Sequence, residues 1–173
     1  MKKHRNTILL IDAVIIILGI ALDQFTKYLA TAKLKNSPNF VIWEGVFELD
    51  YLENTGSAFG MLQGQRWLLL LVGVVFMALI LILMLRLPEG KKYTVTHVIL
   101  AFLVAGGIGN MIDRFVLGYV VDFFSFVLIN YPIFNVADIY VVCATIALFI
   151  MFLFVFKDED LDFLSLKKKN EEN

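Results

Sequence analysis

GGIGNMIDRFVLGYVVDFFSFVLINYPIFNVAD, residues 106–138, decides how the rest of this chain is read. Long apolar runs flank it on both sides. Within it sit Asn110, Asp113, Arg114, Asp122, Asn135 and Asp138. Ionisable side chains in or beside a hydrocarbon layer are costly, and they mark function by default. The chain as a whole is 60% hydrophobic over 173 residues, with only 18% charged. Its mean hydropathy is +0.79. A soluble domain is nearer half apolar, and here the excess lies in runs long enough to cross a bilayer.

Working outward, Val95 to Leu117 reads as one membrane span and residues 136–156 as the last. The small residues Ala105, Gly106, Gly107 and Gly109 let helices approach closely. Between these spans, residues 118–134 read as an outer loop or re-entrant segment lying in the interface. Upstream, residues 67–87 form a span with no ionisable residue before Arg86. The first span covers residues 7–32, long enough for about 30 Å of hydrocarbon. Its start imitates a signal peptide, but Asp23 and Lys27 interrupt it before Ala30-Thr31-Ala32, and further spans follow.

Asp12 falls near the inner end of that span, within reach of water or a neighbouring Lys. Asp23 and Lys27 share a helix face at i, i+4. They read either as an interfacial salt bridge or as support for a site. Residues 33–66 differ in character and form an outer β/loop region. FELDYLEN, residues 47–54, alternates Phe47, Leu49 and Tyr51 with acids, which predicts a half-exposed strand. VIWEGVF before it is a candidate hairpin partner. In NTGSAFGMLQGQ, residues 54–65, Gly56, Gly60 and Gly64 recur every four residues. That spacing suits close helix packing in an apolar helix, or, with Asn and Gln flanking it, a loop whose backbone approaches another surface. Residues 157–173 read as a polar tail with an unstructured end. Its Leu161, Phe163, Leu164 and Leu166 are at most a brief amphipathic turn.

We therefore expect an all-α integral membrane protein, a single membrane domain over residues 1–173. It has four transmembrane helices and a small extracytoplasmic β-region (a cradle) between helices 1 and 2. With four spans both termini share a side. That side holds Lys2, Lys3, Arg5, Arg86, Lys91, Lys92, Lys157, Lys167, Lys168 and Lys169. The other side holds Lys33, Lys35 and Arg66, with Lys27 and Arg114 at its boundary. The bias makes both termini cytoplasmic. Asp23, Asn54, Asp113, Asp122 and Asp138 then converge on the outer face.

No Ser-His or Ser-Lys pair stands in a fitting setting. The single cysteine, Cys143, lies inside the last span, and His4 and His97 stand alone, loop-facing or interfacial. No Cys/His cluster has metal spacing, so neither metal nor cofactor is expected. No basic stripe suggests nucleic acid. What remains is carboxylates. Two in contact cannot both ionise comfortably, and such a pair can activate a water and protonate a leaving group. Taken singly, each aspartate is open to a structural reading too. Asp113 can hold Arg114 or a backbone donor. Asp138 suits the positive end of the last helix, and Asn135 suits its N-cap. A proton-relay transporter and a non-catalytic membrane assembly factor are the competing classes. Against the first, the ionisable residues gather at one face and line no path across.

The ordered set D-Q-F-T-K (Asp23–Lys27), N-T-G-S-A-F (Asn54–Phe59), G-N-M-I-D-R (Gly109–Arg114), V-V-D-F (Val120–Phe123) and F-N-V-A-D (Phe134–Asp138) resembles the lipoprotein signal peptidases (signal peptidase II) of bacteria. The resemblance covers essentially the whole chain, apart from the tail beyond Lys157. Ser57 departs from it, since the family more often has Ala there. The resemblance implies an aspartyl endopeptidase of the bacterial cytoplasmic membrane with its site at the outer face. Such enzymes cut prolipoproteins just before a diacylglyceryl-modified cysteine. It implies catalysis by Asp122 and Asp138. It implies support or substrate binding by Asp23, Lys27, Asn54, Gly56, Asn110, Asp113, Arg114 and Asn135. The partners implied are lipidated signal peptides and membrane lipid, and the chain is expected to act as a monomer.

Overall fold

A computed structural model describes residues 2–56 and 61–164. Four helices are long and apolar enough to cross a membrane. They are α1 (Lys2–Leu34), α2 (Arg66–Arg86), α3 (Lys91–Val116) and α4 (Val136–Phe154). Their order and type match the expected spans, and α1 runs on at both ends. The helix α3 is central. It packs against α1, α2 and α4, and Leu100, Ala101, Leu103 and Val104 fill the core.

Small residues permit that closeness. A Cβ added at Gly106 would stand 2.5 Å from the Ala137 carbonyl oxygen of α4. One at Gly109 would stand 2.5 Å from the Asp23 carboxylate of α1. Interiors packed at crystal density leave no slack for either. The glycines of α3 therefore set how near the polar residues of three helices come to one another.

The β-region is a three-stranded antiparallel sheet in the order β1-β2-β3: β1 Phe40–Trp43, β2 Phe47–Asn54 and β3 Val120–Phe126. β1 and β2 form the expected hairpin, turning at Gly45 with φ +69°. β3 corrects the reading of residues 118–134 as a loop or re-entrant segment. VVDFFSF lacks the period-2 alternation of a half-exposed strand because it is covered on both faces. Val121 and Phe123 pack with Ala30 of α1, while Phe124 stacks with Phe47. Continuous apolar runs are what doubly buried strands look like. A short 3-10 helix, Val127–Ile129, follows. The chain then returns along β3, with Phe124 and Phe134 exchanging N–H···O bonds of 2.8 and 3.0 Å. That return delivers Asn135 beside Asp122.

The tail also departs from expectation. Asp158–Leu164 is a 3-10 helix rather than an unstructured end. Phe163 meets the Tyr93 ring edge-on, and Tyr93 Oη donates to the Asp160 carbonyl at 2.9 Å. Phe163 thus docks this stretch on the start of α3, while Leu164 stays exposed. Leu166 lies outside the described residues.

Candidate active site

All the residues singled out from the sequence for the site lie in one connected hydrogen-bonded network. Three elements present its centre. β3 carries Asp122, the first turn of α4 carries Asp138, and α3 carries Asn110. Asp122 Oδ1 accepts from Asn135 Nδ2 at 2.6 Å and Oδ2 accepts from Asn54 Nδ2 at 2.9 Å. Asp138 Oδ1 accepts from Asn110 Nδ2 at 2.8 Å. Asn135 is also the N-cap of α4, in a capping box with Asp138. Its side chain accepts from the Asp138 backbone N–H, and Asp138 Oδ2 accepts from the Asn135 backbone N–H at 3.1 Å. The capping reading and the site reading of Asn135 therefore hold together.

Behind this centre lies a second set. Lys27 Nζ stands 2.9 Å from Asp23, 3.1 Å from Asp113 and 2.9 Å from Asn110 Oδ1. Lys27, Asp23 and Asp113 are buried and Asn110 is half-buried. The outer oxygens of the two acids grip backbone. Asp23 Oδ1 accepts from the Ala137 N–H at 2.9 Å, and Asp113 Oδ2 accepts from the Val121 N–H at 3.0 Å. Ala137 and Val121 immediately precede Asp138 and Asp122. Each supporting acid thus holds the peptide unit before one central aspartate, and a single lysine holds both acids. Charge-assisted bonds of this kind are the strong ones. Lys27 also fixes the Asn110 amide. Asn110 Oδ1 must face its ammonium, so Nδ2 must face Asp138.

Arg114 bridges to the loop after β2, with Nη2 donating to the Gly56 carbonyl at 2.8 Å. Gly56 N–H in turn donates to Asn54 Oδ1 at 2.9 Å. Gly56 therefore links Asn54 and Arg114, while Gly60 lies outside the described residues. Gln24 is a residue the sequence reading passed over. Its amide donates to Asp113 at 2.9 Å and to the Gly109 carbonyl at 3.2 Å. It stands inside the D-Q-F-T-K segment, next to Asp23, which is the signal that marks it.

Asp122 and Asp138 both line a cavity of about 370 Å³. Asn54, Asn110, Arg114, Tyr131 and Phe134 share its wall. Burial first, and the charge of Asp138 second, push the Asp122 carboxyl up to about 7 against the Asn54 and Asn135 bonds. One acid poised to hold a proton beside another, both facing one cavity, is equipment for moving protons to and from a bound substrate. Among the described residues, no group of three or more His, Cys, Asp or Glu is arranged to hold a metal ion.

Two readings away from the site are corrected. His97 is neither loop-facing nor interfacial but buried, and its Nδ1 lies 2.7 Å from Asp12 Oδ2. The partner of Asp12 among the described residues is His97 rather than a lysine. Asp12 itself is 3% exposed inside the helix bundle. The two residues are 85 positions apart and meet only because α1 and α3 pack side by side, which neither local sequence discloses.

A family model described as signal peptidase (SPase) II matches residues 15–154. The chain is 44% identical to a lipoprotein signal peptidase of Brevibacillus brevis, over 80% of this chain and 90% of that protein. It is 42% identical to one of Caldanaerobacter subterraneus, over 82% and 94%. It is also similar to a solved bacterial membrane enzyme with a TM-score of 0.73 and 26% identity, covering 84% of this chain and 94% of that one.

Proposed function

The chain belongs to the signal peptidase II family, proteases that remove signal peptides from prolipoproteins, and from that premise we propose that Asp122 and Asp138 are its catalytic pair. Asp138 takes a proton from a water as the water oxygen attacks the scissile carbonyl carbon. Asp122 gives its proton to the carbonyl oxygen, and as the C–N bond breaks the proton gained by Asp138 passes to the leaving amine while a hydroxyl of the gem-diol returns a proton to Asp122. The observation that carries this reading is the opening of both carboxylates on one cavity, with Asp122 raised to about 7. Every side chain in this arrangement comes from one chain, which suits a monomer.

The substrate is a prolipoprotein whose cysteine, just after the cut, already carries a diacylglyceryl group. The site faces the outer side of the bacterial cytoplasmic membrane, with both termini inside. The bias of Lys and Arg toward the ends of α1, α2, α3 and α4 away from the site supports that orientation. A bound signal peptide would bring its lipidated residue to the acyl/headgroup boundary, at the depth of Asp138.

The test compares the native chain with Asp122→Asn and Asp138→Asn in lipid, on a prolipoprotein with and without the diacylglyceryl group. We expect cleavage of the lipidated form only. We expect both variants to lose on the order of 10³-fold or more in kcat/KM while melting as folded proteins. Retained cleavage in either folded variant would remove that residue from the pair.

A further inference from the structure

On the side of α3 opposite Asn110 and Arg114, a cleft of about 550 Å³ opens between α3 and α2. Residues three and four apart bound it, from Ile108 to Val116 on α3 and from Trp67 to Val74 on α2. The two helices touch deeper in the bundle. A Cβ added at Gly107 would stand 2.7 Å from Met77 Sδ, and one at Gly73 would stand 3.0 Å from Met111 Sδ. From that contact the cleft opens toward the start of α2 and the end of α3, over about 10–12 Å of helix. Its walls are almost wholly apolar, and Leu71 and Phe115 are exposed on it. Arg66 stands at the end nearest the polar surface. Its Nη2 donates to the Phe115 carbonyl, and its guanidinium carbon lies 4.9 Å from the Trp67 ring centre. Its Nε has no hydrogen-bond partner. Among the described residues no carboxylate pairs with it. No side chain caps the start of α2, whose partial positive charge falls at the same place.

We infer that this cleft binds one anionic phospholipid, with its phosphate on Arg66 and one acyl chain between α2 and α3. The charge and the apolar walls select that occupant together. Arg66 is a cation without an acid, held at the depth where Trp67 marks the membrane–water boundary. Guanidinium groups match phosphate oxygens, and a basic pocket between membrane helices suits an anionic headgroup. An apolar helix laid on the same stripe would cover the walls but leave the Arg66 charge unanswered. A zwitterionic lipid would bring an ammonium to a place that is already positive. A phospholipid with net negative charge answers both the cation and the walls. It would also join two elements that need joining. The helix α2 packs chiefly on α3, and toward its start the cleft parts the two. A lipid bridging Arg66 and the cleft would hold that end of α2 in place. This site is separate from the Asp122–Asp138 cavity, and its occupancy is independent of the catalytic reading.

The test reads Trp67 itself. The chain has two tryptophans, and Trp43→Phe leaves Trp67 as the sole emitter. The full chain is placed in phosphatidylcholine bilayers, and phosphatidylglycerol or phosphatidylcholine with brominated acyl chains is titrated in to quench its fluorescence. We expect brominated phosphatidylglycerol to bind beside Trp67 at least about fivefold more tightly than brominated phosphatidylcholine, the worth of one arginine near anionic lipid. High salt should weaken that preference. Arg66→Gln keeps a donor for the Phe115 carbonyl and removes the charge, and it should bring the two lipids within about twofold of each other. Val74→Phe fills the cleft and should erase the preference with the charge intact. Phosphatidylglycerol should also raise the melting temperature of the native chain and leave that of Arg66→Gln unmoved. Equal quenching of Trp67 by the two lipids overturns the inference without recourse to any variant. So does a preference that survives Arg66→Gln. If soluble glycerol phosphate displaces the brominated lipid, Arg66 holds a phosphate alone and the cleft holds no chain. If Trp67 becomes shielded from both lipids as the protein-to-lipid ratio rises, a second copy of the chain covers the cleft, and the lipid site falls.

Discussion

Two buried acid clusters tie α1 to α3, and they differ in every respect but burial. Near the start of α1, Asp12 meets His97 at 2.7 Å, and its other carboxylate oxygen has no partner among the described residues. Eleven residues along the same helix, Asp23 is 0% exposed, yet both of its oxygens are engaged, by Lys27, Gln24 and the Ala137 N–H. The first cluster is a pair closed on itself. The second is one shell of a network that ends at two carboxylates open to a cavity. Burial of an acid alone therefore does not identify a site. What distinguishes the candidate site is the continuity of the network and the opening of its two carboxylates on a cavity.

The comparison breaks most visibly at Lys27. Lys27→Met leaves Asp23 and Asp113 facing each other's vicinity without their cation. Breaking a buried pair of this kind costs about 3–5 kcal/mol. We expect a melting temperature lower by roughly 10 °C, and activity lost with it, because the peptide units before Asp122 and Asp138 lose their anchors. A folded, active Lys27→Met would show that the clamp does not position the pair.

At the other end, His97→Leu strips Asp12 of its partner. The expected cost is about 1–3 kcal/mol, read from thermal unfolding, with kcat/KM per folded molecule unchanged. The double variant Asp12→Leu/His97→Leu should recover most of that stability, since an apolar pair replaces a polar one. No such recovery is available at Asp23, where an apolar residue would orphan the Ala137 N–H. A fall in kcat in His97→Leu would join the two clusters and erase the contrast.

The contrast also explains what the sequence could disclose. The four spans were legible because a bilayer imposes a length and an apolar content on each. The residues of the candidate site stand out in the sequence as polar exceptions in apolar surroundings, and the ordered short motifs point to a family. Asp12 and His97 were polar exceptions too, but each was misplaced, because their pairing depends on the side-by-side packing of α1 and α3. β3 was missed because burial on both faces removes the alternation that marks a strand. The tail helix was missed because its anchor, Tyr93, lies more than sixty residues upstream. A backbone donor for Asp113 is one of the sequence readings, but which N–H groups Asp113 and Asp23 grip, those of Val121 and Ala137, had no signal, since backbone N–H groups are the same in every sequence.

A finer test uses pH. Asp122 is pushed up to about 7, so the fold holds its proton more tightly than the unfolded chain does. The stability this contributes is full below the ordinary carboxyl value of 3.8 and is lost as pH rises through about 7. Thermal unfolding should follow that window. If Asp122 supplies the proton in catalysis, activity should also fall as pH rises past about 7. The Asn54 bond favours the ionised form, so Asn54→Ala should move this alkaline limb upward, with kcat lower by roughly tenfold. A limb that stays put would assign the titration to another group.

The smallest effect is expected where the distances look the same. Lys35 stands 2.8 Å from Glu53, as close as Lys27 stands to Asp23, and its ammonium also lies 5.6 Å from the Tyr51 ring centre. Yet the side chains of Lys35 and Glu53 are 41% and 39% exposed, against 4% and 0% for Lys27 and Asp23. Glu53 holds the Lys35 ammonium above its ordinary value, but water screens the pair. Lys35→Ala should leave the melting temperature within about 1 °C and the activity unchanged. A loss comparable to that of Lys27→Met would mean that distance rather than burial governs these pairs. The distinction between the clamp at Lys27 and an ordinary surface contact would then fail.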